Sequence, residues 1–81
     1  MELNETIDMM ISKDYKERFK AEYYQLFIRY IKLLNMVDDW DKGKLNFTPT
    51  CERSIYAYQL TAMESYLKVL NYRAKAEGIE L

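Results

Sequence analysis

Apolar side chains recur along two long stretches of the chain at spacings that alternate between three and four residues. The two series are Tyr15, Phe19, Tyr23, Leu26, Tyr30, Leu33, Val37 and Trp40, and then Tyr56, Leu60, Met63, Leu67, Leu70 and Ala74. This is the heptad period of a helix that packs one face against another helix, whereas a strand would alternate with period two. The pattern predicts two long amphipathic helices with matching apolar seams.

Three helix breakers, Gly43, Pro49 and Gly78, divide the chain. We predict one helical domain over residues 1–81, made of a short N-terminal helix or arm (1–11), a long helix (12–42), a turn (43–51) and a second long helix (52–78). Because the turn is short, the long helices should pair antiparallel. The expected fold class is all-α, an antiparallel helical hairpin about 40 Å long at ~1.5 Å of rise per residue.

The predicted helix ends carry recognisable capping signals. Ser12 precedes an acidic first turn and is the expected N-cap of the first long helix, and Thr50 or Cys51 is the expected cap of the second. Gly78 followed by the apolar Ile79 fits the Schellman motif, in which a left-handed glycine ends the helix.

Each long helix also carries a second apolar stripe beside its seam. These stripes are Tyr24, Phe27, Ile28, Ile31 and Leu34 in the first helix, and Ile55, Tyr58, Ala62, Tyr66 and Val69 in the second. Two paired helices can hide one stripe each, and few charges lie in the middles of both helices. We therefore predict that the second stripes form the interface of a homodimeric four-helix bundle or a higher oligomer.

A monomeric arrangement is the alternative for these second stripes. The apolar residues between Leu3 and Ile11 could dock on the hairpin, and Leu45 and Phe47 could fold back over its end. The sequence leaves both arrangements open.

The composition supports association. The chain has 81 residues, 49% of them apolar, and a domain this small buries only about 60% of its unfolded surface. A single cysteine and no histidine leave neither a disulfide nor a metal as the usual reinforcement. The formal charge of −1 attracts the chain to neither DNA nor a membrane, and without a signal-peptide pattern we expect a cytoplasmic location.

Catalytic chemistry has little support in this sequence. Without histidine no triad can be assembled, and Cys51 has no identifiable base, so we expect no enzyme, no cofactor and no metal. The acidic group Asp38, Asp39 and Asp41 matches no calcium loop and is interpreted as a solvated helix end.

Cationic and aromatic side chains outside the seams suggest a ligand. The candidate binding residues are Arg29, Lys32, Arg53, Tyr72 and Arg73. Arginines and lysines hold phosphates and tyrosines stack on bases, which is how many proteins bind nucleotides. The same residues on helices also serve as ordinary surface packing and ion pairs.

Four stretches carry a resemblance to a known group of proteins. They are KDYKERFKAEY (13–23), KLNFTPTC (44–51), QLTAMESYL (59–67) and RAKAEGIEL (73–81). The chain resembles, over nearly its whole length, a family of short helical-hairpin proteins of phages and prophages of gram-positive bacteria. It departs from that family at Phe27, Ile31, Tyr56 and Tyr58, where more polar residues are expected.

The resemblance implies a phage or prophage accessory protein that acts by binding. The first expectation is an inhibitor of a bacterial anti-phage defence system, such as an anti-CRISPR, that works through protein–protein contact. One alternative is an oligomeric sponge that sequesters cyclic nucleotide immune signals, and another is a structural or regulatory oligomer of phage development.

Overall fold

The computed structural model describes residues 1–81 and is all-helical. A 3₁₀ helix, Leu3–Thr6, leads into a short helix α1, Ile7–Met10, and two long helices follow, α2 over Tyr15–Asp41 and α3 over Arg53–Glu77. α2 and α3 pack against each other as an antiparallel hairpin, and the molecule measures 43 × 24 × 17 Å. The predicted fold class, with its short N-terminal helix, is confirmed.

Helix α2 begins later than the sequence suggested. Its N-cap is Asp14, whose carboxylate accepts a hydrogen bond from the Lys16 amide at 2.9 Å, while the Ser12 hydroxyl accepts one from the Asp14 amide at 3.1 Å. The prediction of Ser12 as N-cap is therefore wrong. A carboxylate at this position both satisfies an unpaired amide and interacts favourably with the helix dipole.

The predicted cap of α3 is also wrong. The N-cap is Glu52, rather than Thr50 or Cys51, and it makes no side-chain capping bond. A bidentate ion pair holds this helix end instead, because Arg53 donates to both carboxylate oxygens of Asp41 at 2.7 and 2.6 Å. The hydrogen bonds from Arg53 lower the pKa of Asp41 below its ordinary value.

The C-terminal end of α3 forms the predicted Schellman motif. Gly78 has φ 69°, and the Ile79 amide donates to the Ala74 carbonyl at 2.8 Å. Ile79 is buried, so the apolar contact that accompanies this motif is present as well. Gly43 ends α2 in the same left-handed conformation, with φ 70°.

The apolar core lies between the two long helices, toward the end of the hairpin where α2 begins and α3 ends. Phe19, Leu70, Ala74 and Ile79 form its buried cluster, and Leu70 is 0% exposed. Of the predicted seam residues in α2, Tyr15 is the one that remains exposed. The predicted seams therefore supply most of the buried apolar residues, whereas Ala21, Ile28 and Ile79 are buried outside them.

The N-terminal segment packs on α2 and makes no comparable contact with α3. Thr6 is fully buried, and its hydroxyl donates to the Leu3 carbonyl at 2.7 Å while it accepts from the Gln25 amide at 2.9 Å. The segment covers Ile28 of the second stripe on α2. Coverage within the monomer thus applies to part of the second stripe on α2, since Phe27 and Leu34 stay exposed, and Phe47, expected to fold back over the hairpin, is 56% exposed.

No helix of the molecule has both the length and the apolar character that a membrane-spanning segment needs.

Candidate ligand-binding groove

A groove with a volume of about 250 Å³ opens on α2, between Met10 of α1 and Tyr66 of α3. Its lining residues are Met10, Arg18, Ala21, Glu22, Gln25, Leu26, Arg29 and Tyr66. Met10 of α1 therefore forms one side of the groove, one face of α2 forms its floor, and Tyr66 of α3 forms the other side. We call this feature the groove.

The polar residues of the groove form one row along α2. Arg18, Glu22, Gln25 and Arg29 follow each other at spacings of four, three and four, which places them on one face of the helix. At ~1.5 Å of rise per residue, Arg18 and Arg29 are about 16 Å apart along the helix axis. Their long side chains can extend toward the middle of the groove. The row thus offers a cation at each end and hydrogen-bonding groups between them.

Both arginines of the groove are free of carboxylate partners. None of the six ion pairs in the molecule includes Arg18 or Arg29. Arg18 donates one hydrogen bond, from Nη1 to the Ser12 carbonyl at 2.8 Å, which orients its guanidinium and leaves other donors available. Two guanidinium groups in this state can bind anionic groups such as phosphates.

Tyr66 and Glu22 connect the two long helices across the groove. The Tyr66 hydroxyl donates a hydrogen bond to Oε2 of Glu22. This hydrogen bond raises the pKa of Tyr66, because the phenol must stay protonated to donate. The bond fixes the position of the carboxylate, and the tyrosine ring remains partly exposed beside it.

Gln25 links the groove to the N-terminal segment. Its amide nitrogen donates to the Thr6 hydroxyl at 2.9 Å and approaches the Met10 sulfur at 3.5 Å. Because both donors point to the N-terminal segment, the amide oxygen of Gln25 is left as an acceptor. The edge of the groove is therefore held in place by hydrogen bonding as well as by packing.

A second cavity, of about 340 Å³, lies on the other side of the N-terminal segment. It is lined by Met1, Glu2, Tyr24, Phe27, Ile28, Ile31 and Lys32, and an ion pair of 3.5 Å joins Glu2 to Lys32. This cavity is mainly apolar and its one cation is already paired. It is a poorer site for an anion than the groove.

The ligand residues predicted from the sequence lie at separate places in the structure. Arg29 is in the groove, Lys32 borders the apolar cavity, and Arg53 is paired with Asp41 at the turn. Tyr72 is 75% exposed and lines neither cavity. The structure therefore brings only Arg29 of this set to the groove.

Arg73 belongs to a small cluster at the open end of the hairpin. It donates to Glu77 at 3.1 Å and to the Tyr15 hydroxyl at 2.8 Å, and its guanidinium lies 5.1 Å from the centre of the Phe19 ring. Tyr15 also donates to Glu77 at 2.7 Å. The hydrogen bonds from Tyr15 and then Arg73 lower the pKa of Glu77. Because Tyr15 and Phe19 belong to α2, the contacts that Arg73 makes with them hold the two long helices together.

The residues predicted for an interface divide between covered and exposed positions. On α2, Ile28 is buried and Tyr24 and Ile31 are half-buried, whereas Phe27 and Leu34 are exposed. On α3 all five predicted residues are exposed, and we call them the α3 stripe: Ile55, Tyr58, Ala62, Tyr66 and Val69. Tyr66 belongs to both the α3 stripe and the groove.

Sequence reasoning missed three polar residues of the groove, Arg18, Glu22 and Gln25. Their regular spacing with Arg29 was a visible signal, but only the structure shows that α1 and Tyr66 border this face.

Comparison with known proteins gives one family. The family model described as Sequestin matches residues 13–76, which is most of the chain. No curated protein and no solved structure matches the chain significantly. The matched residues include all of α2, the turn and nearly all of α3.

Proposed function

The chain belongs to the Sequestin family, and we propose that it acts by sequestering a ligand, namely a cyclic nucleotide immune signal held in the groove. The family's name denotes sequestration, which is a binding role. A cyclic nucleotide combines negatively charged phosphates with flat bases. The groove offers the matching groups, which are guanidiniums for phosphates and a tyrosine ring for stacking.

The observation that carries this proposal is the pair of unpaired arginines, Arg18 and Arg29, at the two ends of the groove. Surface arginines commonly pair with a carboxylate, as Arg53 and Arg73 do in this molecule. Leaving two guanidiniums unpaired beside one groove is favourable when an anionic ligand supplies the partner. A phosphodiester at each end would neutralise both charges.

Calorimetry with the purified full-length protein tests this proposal. A panel of cyclic mono-, di- and trinucleotides is titrated into the wild type and into the variants Arg18→Gln and Arg29→Gln. Each variant should weaken binding by about 10- to 100-fold, because a hydrogen bond to a charged group is worth about 1.5–3 kcal/mol. Lys75→Gln is the matched control, since it removes one positive charge outside the groove.

The result that contradicts the proposal is an absence of heat with every member of the panel. Binding that Lys75→Gln weakens as much as the groove variants would also count against it, because it would indicate unspecific attraction by charge. Raising the salt concentration should weaken binding to the wild type more than binding to either groove variant, since each variant makes one phosphate contact fewer.

The exposed α3 stripe supports two further proposals. The first is self-association, in which a second copy covers the stripe and the protein works as a homo-oligomeric sponge. The stripe presents Ile55, Tyr58 and Val69 at 51%, 75% and 54% exposure, which is a large apolar surface for a small monomer. Light scattering at several protein concentrations tests it, and Tyr58→Glu with Ala62→Glu should shift the mass to that of a monomer.

The second proposal is that the α3 stripe contacts a host defence protein, so that the chain is a phage or prophage inhibitor such as an anti-CRISPR. The exposed α3 stripe supports this proposal too, because a host defence protein could cover it in place of a second copy of the chain. Infection of hosts that carry a given defence system, by phages that encode the wild type, Tyr58→Glu or a groove variant, distinguishes protein contact from ligand sequestration. If Tyr58→Glu abolishes protection of the phage while the groove variants keep it, protein contact is the acting mechanism.

A further inference from the structure

The α3 stripe has the same order of residue types in both directions along the helix. Ala62 lies at its centre, Tyr58 and Tyr66 lie four residues to either side, and Ile55 and Val69 lie seven residues to either side. Each tyrosine therefore has a tyrosine as its counterpart, and each β-branched aliphatic residue has another. All five residues are exposed, so burial within the monomer does not account for this symmetry.

A helix face with this symmetry is complementary to a second copy of itself. When two identical helices pack antiparallel across a twofold axis, a residue after the central position faces the residue equally far before it in the other copy. With the axis at Ala62, Ile55 faces Val69 of the second copy, and Tyr58 faces Tyr66 of the second copy. A different protein has no need of a symmetric face, so the symmetry favours a second copy as the occupant.

The charges of α3 are compatible with this pairing. The α3 stripe is uncharged, and its neighbours three residues to either side of Ala62 are the neutral Gln59 and Ser65. The two charged residues within its length, Glu64 and Lys68, pair with each other at 3.6 Å. At 3.6 residues per turn they lie roughly 120–160° around the helix from Ala62. A second copy on the stripe therefore meets no like charge there.

The exposed area is large enough for a specific dimer. Tyr72 extends the stripe by one turn, and Tyr58, Tyr66 and Tyr72 are 75%, 44% and 75% exposed. At about 200 Å² per tyrosine, their exposed parts amount to roughly 800 Å² over two copies. Specific interfaces begin at about 1,200 Å² in total, and the exposed parts of Ile55 and Val69 supply most of the difference.

We propose that the α3 stripe is the interface of a twofold homodimer in which the two α3 helices run antiparallel and cross at Ala62. The small side chain of Ala62 at the crossing point lets the helices approach closely. The inference rests on the self-association proposed above and assigns its geometry. It also completes the groove, because Tyr66, which forms one side of it, packs beside Tyr58 of the second copy. The dimer then carries two equivalent grooves, each with a tyrosine of the other copy at its edge.

Disulfide cross-linking tests this geometry in a Cys51→Ser background, which removes the one native thiol. Helices packed about 10 Å apart hold facing Cα atoms about 5 Å from each other, within the range of a disulfide. Ala62→Cys should therefore yield a covalent dimer on mild oxidation, seen on a non-reducing gel. Val69→Cys is the matched control, because its two copies lie about 21 Å apart along the helix axes. Mixed with Ile55→Cys, however, Val69→Cys should cross-link.

The outcomes distinguish the geometry, the self-association and the binding of a ligand. Self-cross-linking of Val69→Cys as efficient as that of Ala62→Cys indicates parallel helices or random collision and overturns the proposed dimer. Failure of Ala62→Cys to cross-link, with a wild type that has the mass of a dimer by light scattering, overturns this interface and leaves self-association through another face. A wild type that is monomeric at every concentration overturns both without any variant. Ligand binding is measured separately by calorimetry, so the sequestering function stands or falls independently of these results.

Discussion

Truncation of two neighbouring residues of α3, Leu70 and Val69, should change the stability of the protein by very different amounts. Leu70 is 0% exposed and lies in the buried cluster, whereas Val69 is 54% exposed on the α3 stripe. Replacing a fully buried leucine by alanine costs about 2–5 kcal/mol, through lost burial and the cavity left behind. At 0.05–0.15 kcal/mol per residue the whole domain has a stability of roughly 4–12 kcal/mol, so Leu70→Ala removes a large part of it.

Val69→Ala provides the matched control for this prediction. It shortens a side chain one residue away in the same helix, on the exposed side, so the expected change in the free energy of unfolding is within about 0.5 kcal/mol. Because alanine is a better helix former than valine, even a slight gain is compatible with the structure. The pair therefore separates core packing from helix propensity.

Urea denaturation followed by circular dichroism measures both variants. The experiment is run at several protein concentrations, because association adds an apparent stability that depends on concentration. If Val69→Ala lowers the free energy of unfolding by an amount that grows with protein concentration, the lost contacts are those between copies of the chain. A loss as large as that of Leu70→Ala at every concentration would refute the division into a buried seam and an exposed stripe. A cost below about 1 kcal/mol for Leu70→Ala would refute the assignment of the core.

Three further predictions follow from single contacts. Gly78→Ala should destabilise the protein by about 1–2 kcal/mol, measured by thermal unfolding, because φ of 69° strains an alanine although nothing lies within 4 Å of the added carbon. Glu77→Gln should remove stability that the wild type has at neutral pH. Since the pKa of Glu77 is lowered in the folded state, that stability is present above the unfolded pKa and is lost as the pH falls through the folded pKa, so the two proteins should converge in acid and a constant difference would contradict the assignment. Thr6→Val keeps the shape of a buried side chain and removes its two hydrogen bonds, so proteases should cleave residues 1–11 faster while the hairpin stays intact, and unchanged cleavage would show that packing alone holds the segment.

The heptad seams made the fold predictable from the sequence. Burial between two helices requires apolar residues at the heptad period, and the seam residues Phe19, Leu67 and Leu70 are accordingly buried. The left-handed glycine Gly78 was predictable for a similar reason, because few other residues adopt that conformation without strain. The N-caps were less predictable, since Ser12 and Asp14 are both good capping residues and tertiary contacts decide between them.

The groove could not be predicted in the same way. Its arginines are two among many cations of a nearly neutral chain, and their role depends on which of them lack a carboxylate partner. Arg53 was a plausible ligand residue until the structure placed Asp41, from the other long helix, beside it, whereas the Arg73–Glu77 pair has the i,i+4 spacing that the sequence already shows. Such pairs form between residues distant along the chain as well as within a helix, and a periodic pattern describes only neighbours on the same helix.

The position of Tyr66 makes self-association and ligand binding interdependent if both occur. Its ring is part of the α3 stripe and its hydroxyl is bonded to Glu22 inside the groove. A second copy that covers the stripe would also change the exposure of the groove, so a variant at Tyr66 affects both measurements at once. Tyr58 and Val69 lie on the α3 stripe outside the groove lining, and Arg29 lies in the groove outside the stripe. Comparing variants at these positions is therefore what separates assembly from ligand recognition.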